Sequence, residues 1–351
     1  MIFTEITPAE FTKFASKSPY KSFMQTEEIA KLREQNGWVS YYFAVKENDQ
    51  IKAASMLVAK PTFLGKSTFI APGGPLLDYE DTKMVNFFFK NLRNFIKTHN
   101  GYVLQISPYY EVTERDRNGA LIENGFNRKK ALQNLQKLGF IKESHPSQPE
   151  YMFAMEIASR TPDEILADFK RNTRNHVRKA ERAGVKIREL TREELPLFKQ
   201  ITESTSERRH FSDRPLSYYE QMYDLFHEKG EVKFLVAELE NKILSAAMFM
   251  LYGDEIVYLF SGSDEKYMKE YNAQYLIQWH IIKYAAEHGF KRYNFYGISG
   301  LPKDGDLDGI YEFKKGFDTK FGKVLEYLGT YELAISPAIF HLHRILSGIK
   351  H

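Results

Sequence analysis

Apolar and polar positions alternate with a period of two over Tyr41–Val45 and Ile51–Ala59, and Glu47-Asn48-Asp49-Gln50 between them supplies turn residues. That pattern predicts a β-hairpin. A further strand is expected over Ser67–Ala71, closed by the turn Pro72-Gly73-Gly74-Pro75. Over Thr82–Thr98 the period lengthens to that of a helix, which gathers Val85, Phe88, Phe89, Leu92 and Ile96 on one face. Tyr102–Ile106 reads as a short buried strand and Lys129–Leu138 as a short helix stopped by Gly139. Three strands, a helix, a strand and a helix describe one compact α/β unit.

The same grammar restarts near Tyr151. Met152–Ile157 reads as a strand, and Thr161 with Glu164 forms a capping box for the next helix. A basic helix ends near Ala183 with Gly184 as its stop, and another covers about Arg192–Glu207. Lys233–Glu238, Lys242–Tyr252 and Glu255–Ser261 alternate like a three-stranded meander, followed by a helix from Ala273 to about His288 and a strand over Arg292–Tyr296. Two related α/β (α+β) domains are therefore expected, one over residues 1–150 and one over residues 151–330. Within the tail 331–351, which is expected to pack back on the first domain, Ile339, Leu342, Ile345, Leu346 and Ile349 recur at helical spacing. A helix docked through that stripe is favoured over one lying in a membrane interface.

Length agrees with two domains: 351 residues exceed what a single core usually organises. Lys and Arg number 49 against 46 acids, so no global basic field exists and an anionic partner must meet a local patch. Cysteine is absent, which removes disulfides, thiolate metal sites and a cysteine nucleophile, and is compatible with a reducing cytoplasm. The first residues carry Glu5 and Glu10 without an apolar signal core, and no stretch reaches the roughly 20 apolar residues of a bilayer span. The expected compartment is the cytoplasm, including the inner face of the membrane. A monomer is expected.

Three clusters carry candidate chemistry. Between Phe169 and Arg188 lie eight Lys or Arg side chains and one acid, Glu181. Arg171, Arg174, Arg178 and Arg182 recur at helical steps and predict one exposed ridge suited to a phosphate backbone, with Lys170 at its start. The bland alternative is a solvated helix face. In the second cluster, Arg214 and Tyr218 stand four apart at a helix start and so share a face able to grip a diphosphate or carboxylate. In the third, Gly309 and Gly316 bracket Ile-Tyr-Glu-Phe-Lys-Lys, which predicts a tight loop presenting Lys314 or Lys315 to an oxyanion or phosphate. A basic strand edge is the alternative there. There is no Walker loop, His-Glu-x-x-His pattern, dinucleotide fingerprint or nucleophile elbow, so no metal or organic cofactor is expected.

The order of motifs resembles the Fem family of non-ribosomal peptidyltransferases of peptidoglycan bridge synthesis. The matching stretches are Gln25-Thr26 with Arg33 and Trp38, Ile70–Asp78, Lys170–Arg188, Phe211–Tyr219, Tyr258–Ser263, Tyr275–Trp279, Tyr293–Ile298 and Phe313–Phe317. The resemblance implies two tandem domains like GCN5-type (GNAT) acetyltransferases. It implies transfer of an amino acid from aminoacyl-tRNA to the stem-peptide amine of UDP-MurNAc-pentapeptide or lipid II, with contact to the membrane as a peripheral option. By the same resemblance Arg33, Ser212, Arg214 and Tyr218 contact the precursor, Tyr258, Phe260 and Phe313 line its cleft, and Lys314 stabilises charge at the reacting carbonyl. The basic helix with Lys170, Arg171, Arg174, Arg178 and Arg182 would meet tRNA. Departures from the family pattern are Ile29 in place of a tryptophan, Arg33 in place of lysine, Ser107-Pro108 where aspartate often precedes proline, and Asn294 in place of an aspartate. About 30 residues separate Gly184 from Arg214, which leaves no room for the helical hairpin of longer members and points to a short, FemX-like one. An acetyl-CoA-dependent N-acetyltransferase and a non-catalytic RNA-binding module are the rival readings. The first is disfavoured because Tyr271-Asn-Ala-Gln-Tyr lacks the glycine-rich pyrophosphate turn.

Overall fold

A computed structural model describes residues 1–144, 146–209, 212–301 and 309–348. Two compact units emerge. Unit 1 comprises residues 1–114, 121–150 and 325–351, and unit 2 comprises residues 115–120 and 151–324.

In chain order, the first segment holds β1 (Ile2–Glu5), α1 (Pro8–Ala15), α2 (Glu27–Glu34), β2 (Val39–Glu47), β3 (Gln50–Phe63), β4 (Lys66–Gly73), α3 (Thr82–Thr98), β5 (Gly101–Pro108), β6 (Glu111–Asp116), α4 (Lys129–Lys137) and β7 (Ile141–Lys142). The following segment holds β8 (Tyr151–Glu156), α5 (Pro162–Ala167), α6 (Arg171–Arg182), β9 (Lys186–Glu189), α7 (Leu195–Arg209), α8 (Leu216–Phe226), β10 (Val232–Leu239), β11 (Lys242–Tyr252), β12 (Glu255–Ser263), α9 (Glu265–Tyr271), α10 (Ala273–Glu287), β13 (Arg292–Gly297), α11 (Gly309–Lys315) and β14 (Gly322–Tyr327). The chain ends with β15 (Tyr331–Ala334) and α12 (Pro337–Leu346). Sheet order is β1-β2-β3-β4-β5-β15-β7 in one sheet and β6-β14-β8-β13-β12-β11-β10-β9 in the other.

In unit 1 the apolar face of α3 lies in one core with Phe43, Leu57, Phe69, Leu104 and Ile106. Asp81 starts α3 by accepting the amides of Lys83 and Met84. The parallel pair β4–β5 is laddered from Ser67 opposite Gly101 to Gly73 opposite Pro108. Gln25 ties strands together from the inside. Its buried amide donates to the carbonyls of Met56 and Pro72 and accepts from the Met56 amide.

Helix α12 docks by a different face from the one its pattern predicts. Phe340 and Arg344 are buried, whereas Ile345 is 76% and Leu346 68% exposed. Ile349 lies outside the described residues. The anchor is ionic, with Arg344 2.9 Å from Glu332 and 3.9 Å from Glu143. A residue counted as polar by periodicity thus faces inward, where one buried carboxylate, Glu143, and one partly buried, Glu332, await it.

Unit 2 sandwiches its sheet. Helices α5, α6 and α10 cover one face through Phe169, Val177, Ile277, Trp279 and Ile281, packed with Ala247 and Phe249 of β11. On the other face Phe198 of α7 and Tyr219 of α8 meet Phe234 of β10, with ring centroids 5.1 and 6.3 Å away. Helix α7 lies so close to β12 that a Cβ on Gly262 would stand 2.4 Å from the Ile201 carbonyl oxygen. Backbone cannot yield there, so only glycine fits.

Two outcomes test this packing. Gly262→Ala should cost about 1–3 kcal/mol, as other overpacked substitutions do, read from the denaturant midpoint. Burial and the Glu143 carboxylate push Glu332 up to about 7, above the free value of 4.5, against the pull of Arg344. A raised carboxyl contributes fully below pH 4.5 and its contribution is lost as pH rises through 7. Thermal stability should therefore fall between pH 5 and pH 8 more steeply in the wild type than in Glu332→Gln.

Candidate active site

The site grows from one irregularity in the second sheet. Strands β12 and β13 are parallel, yet their ladder covers only Glu255–Val257 against Arg292–Asn294. Beyond Val257 and Asn294 the two strands run on without a shared ladder among the described residues. Polar backbone at the carboxyl ends of diverging parallel strands is where α/β sheets bind ligands.

Each strand carries a bulge at this point. On β12 the partners are Phe249 with Tyr258 and Met248 with Phe260, so Leu259 is the extra residue. The bulge breaks the alternation. Tyr258 stacks on Phe249 at 5.6 Å on the α10 side. Phe260 meets Tyr218 at 6.0 Å and Tyr219 at 5.7 Å on the α8 side. The two rings therefore stand on opposite faces of the sheet, because an interval of two residues keeps side chains on one face only in a regular strand.

On β13, Asn294 pairs with Ala154 and Gly297 with Met152, which leaves two residues opposite one. Tyr296 sits in the left-handed region at φ 63°, a conformation that costs a bulky residue roughly 1–3 kcal/mol. Asn294 secures it, its side-chain oxygen accepting the Tyr296 amide at 2.7 Å while its amide nitrogen donates to Glu255 at 3.1 Å. An aspartate could do the first of these and not the second.

Lys314 reaches this place from α11. The bracketing glycines had suggested a loop; residues 309–315 are instead a helix, with Lys314 buried at 6% exposure. Its ammonium donates to the Gly297 carbonyl, next to the Tyr296 bulge. Phe313 packs on Tyr275 and Phe317, at 4.9 and 5.2 Å. Lys315 is occupied by Glu312 at 2.7 Å. Tyr258 is fixed by Gln274, which donates to its hydroxyl at 3.0 Å, and donates in turn to Ser261. Burial pushes its hydroxyl up to about 12, so it stays a neutral hydrogen-bonding group.

Arg214 and Tyr218 do meet, with the guanidinium 5.3 Å above the ring. Burial raises the Tyr296 hydroxyl, with Tyr218 raising it further and Arg214 opposing, which puts all three within one electrostatic neighbourhood. Ser212 and Arg214 are exposed. Their segment is pinned by Asp213, whose carboxylate accepts from Lys199 at 2.9 Å, Thr202 at 2.8 Å and Tyr219 at 2.5 Å. These three bonds outweigh burial and hold Asp213 below its ordinary range. Sequence reading passed over Asp213, although its place immediately before Arg214 was a signal. Phe211 lies outside the described residues.

The basic helix keeps most of its predicted ridge. Lys170, Arg171, Arg178 and Arg182 are exposed. Arg174 is not part of it: its guanidinium turns back to the carbonyls of Ala167, at 2.7 Å, and Phe169. Those carbonyls belong to the end of α5 and the turn after it, and uncapped helix ends attract cations. Arg33 belongs to unit 1, half-buried near the end of α2, with its guanidinium 5.7 Å from the Trp38 ring.

The FemAB family model matches residues 6–244 and 238–347. The chain belongs to the FemAB family. Relatives include the aminoacyltransferase FemA of Staphylococcus epidermidis, 28% identical over 421 positions that cover all of both chains. FemA of Staphylococcus aureus is 27% identical over 420 positions, covering 100% of this chain and 99% of that one. The chain is an enzyme of this aminoacyltransferase class. An alignment of 421 positions over a chain of 351 leaves 70 with no counterpart here. Among solved structures, FemX superimposes with a TM-score of 0.81 at 22% identity, covering 97% of this chain and 99% of that one. A tandem GNAT protein from the clavulanic acid pathway gives 0.56 at 10%, covering 96% and 99%. The fold is thus the tandem GNAT-like α/β architecture.

Removing Asp213 takes the shared acceptor from three donors in a mostly buried place, although Lys199 keeps Glu203 and Thr202 keeps the Lys199 carbonyl. Asp213→Ala should cost about 2–4 kcal/mol, measured as a shift of the denaturant midpoint.

Proposed function

We propose that the chain moves an aminoacyl group from aminoacyl-tRNA onto the stem-peptide amine of a peptidoglycan precursor. The observation that carries this reading is the buried Lys314 ammonium held on Gly297, at the opening between β12 and β13. Family membership supports the reaction class, and the two bulges support a two-substrate site. Tyr258, Phe313 and Tyr275 stand with the α10 side of the sheet, whereas Arg214, Tyr218 and Phe260 stand on the α8 side. An ester donor and an amine acceptor can then approach one carbonyl through the strand opening.

In the step envisaged, the acceptor nitrogen attacks the ester carbonyl and the carbonyl oxygen becomes an oxyanion beside Lys314. A fixed ammonium in a dry site stabilises that charge without reorganisation. Collapse breaks the ester C–O bond, and the departing ribose oxygen takes the proton that the amine gives up. The ester is already activated, so alignment and charge stabilisation are the enzyme's work. Arg214 with Tyr218 would hold the precursor's diphosphate, Ser212 its polar groups, and Arg33 would add a basic contact to the same precursor. Lys170, Arg171, Arg178 and Arg182 would face the tRNA backbone.

The acetyl-CoA reading is weakened by the start of α10. Helix α9 runs into it through Asn272 at φ 55°, and no glycine turn frees the first amides for a pyrophosphate. Among the described residues no helix is long and apolar enough to cross a membrane.

Purified protein given mixed charged tRNAs with UDP-MurNAc-pentapeptide or lipid II should yield a precursor heavier by one aminoacyl residue, read by mass spectrometry. Lys314→Ala should lower kcat about a hundredfold or more, the usual scale for an oxyanion donor, with precursor affinity within a few-fold. Wild-type turnover in that variant would remove the lysine from its role.

A further inference from the structure

Lys314 sits on a helix of seven residues, too short to hold itself in place. Something must fix α11 if its ammonium is to meet a reacting carbonyl within a fraction of an ångström. The grip comes at the C-terminal end of the helix, next to Lys314 itself, and its main agent is distant in sequence.

Arg117 lies in the short stretch 115–120 that the first chain segment contributes to unit 2. Its guanidinium donates to the Lys315 carbonyl at 2.8 Å and to the Asp318 carbonyl at 3.0 Å. These oxygens belong to the last residue of α11 and the turn after it. A cation there satisfies otherwise orphaned carbonyls and complements the helix dipole. The latch is reciprocal, since the Tyr311 hydroxyl of the same helix donates to the Arg117 carbonyl at 2.5 Å. Burial, with the nearby Asp116, pushes the Tyr311 hydroxyl up to about 12, so it remains a donor at neutral pH.

The following turn is fixed independently. The Lys170 amide donates to the Gly316 carbonyl at 2.8 Å. A Cβ on Gly316 would stand 2.5 Å from the Thr173 hydroxyl of α6, so the turn and that helix are in direct contact. Asp318 is fully buried and accepts from Arg160 at 3.1 Å and from the amides of Lys320 and Phe321 at 2.9 and 2.8 Å. Arg160 bridges on to Asp168 at 2.9 Å, and the Asp168 carbonyl accepts the Thr319 amide. The turn therefore has its own buried ion cluster, whereas the final carbonyl of α11 depends on Arg117.

We propose that Arg117 is a positioning residue for Lys314: it caps α11 so that the ammonium stays aimed at the reacting carbonyl. The proposal rests on the reading of Lys314 as the oxyanion stabiliser. Arg117 would act through the helix, its guanidinium being committed to the Lys315 and Asp318 carbonyls. Because Asp318, Arg160 and Asp168 hold the turn without it, losing Arg117 loosens the helix and leaves the unit folded.

The test uses the full chain with charged tRNA and UDP-MurNAc-pentapeptide. Arg117→Ala should lower kcat at least tenfold while both KM values stay within twofold. Arg117→Lys, which can still reach one carbonyl, should recover part of the loss. In Lys314→Ala the further change Arg117→Ala should add nothing to the loss, because both act through one group. Should Arg117→Ala not fold, Tyr311→Phe, which removes one bond of the same latch, should lower kcat several-fold with KM unchanged. An inactive Lys314→Ala beside a fully active Arg117→Ala, or beside a fully active Tyr311→Phe where the former does not fold, overturns this proposal alone. Full turnover in Lys314→Ala overturns the lysine's role and this proposal together.

Discussion

A buried ammonium is expensive unless something accepts its hydrogen bonds, and that constraint organises unit 2. Lys314 is satisfied by the Gly297 carbonyl. That carbonyl is available because β13 bulges at Tyr296 and has parted from β12 three residues into their shared ladder. A regular central strand would commit the same carbonyl to its neighbour. The bulge in turn requires a tyrosine in the left-handed region, which Asn294 secures from two residues away. Local strain is thus retained where a polar group must be freed, and apolar burial in the rest of the sheet offsets it.

Much of this fold was legible because it is local. The bounds of α3, the capping box at Thr161 and the meander of β10, β11 and β12 follow from period, caps and turns that lie within a few residues of each other. The details that make the site were not legible, since each depends on a partner distant in sequence. A bulge at Leu259 is a statement about register against β11, and nothing in Tyr-Leu-Phe declares it. Arg174 has the spacing of a ridge residue and is drawn off by carbonyls of the preceding helix end. Around Lys314 two glycines looked like loop punctuation, yet Gly316 serves close approach to α6 and the intervening residues form a helix.

The C-terminal helix shows the same limit from another side. Its apolar stripe is real in the sequence, but Ile345 and Leu346 remain exposed and the helix is held by Phe340 and a buried arginine. Hydrophobic periodicity identifies a helix and one of its faces. It does not say which face docks when a carboxylate pair offers a buried cation better compensation than solvent does. Glu143 and Glu332 come from a short strand end and from β15, which no pattern around Arg344 could have indicated.

The two units share a grammar of strands and helices, and the site-forming irregularities are described in only one of them. In unit 1 the parallel strands β4 and β5 stay laddered from Ser67 to Gly73, with one register shift after Ser67. In unit 2 the parallel pair opens after three residues and frees the carbonyl that receives Lys314. A fully paired sheet offers a ligand no backbone groups, while an opened one offers a polar slot with aromatic walls on both faces. Two units of one architecture can therefore differ in the polar backbone they expose, through the pairing of their central parallel strands alone. For that reason the register of β12 and β13, more than any single side chain, distinguishes unit 2 from unit 1.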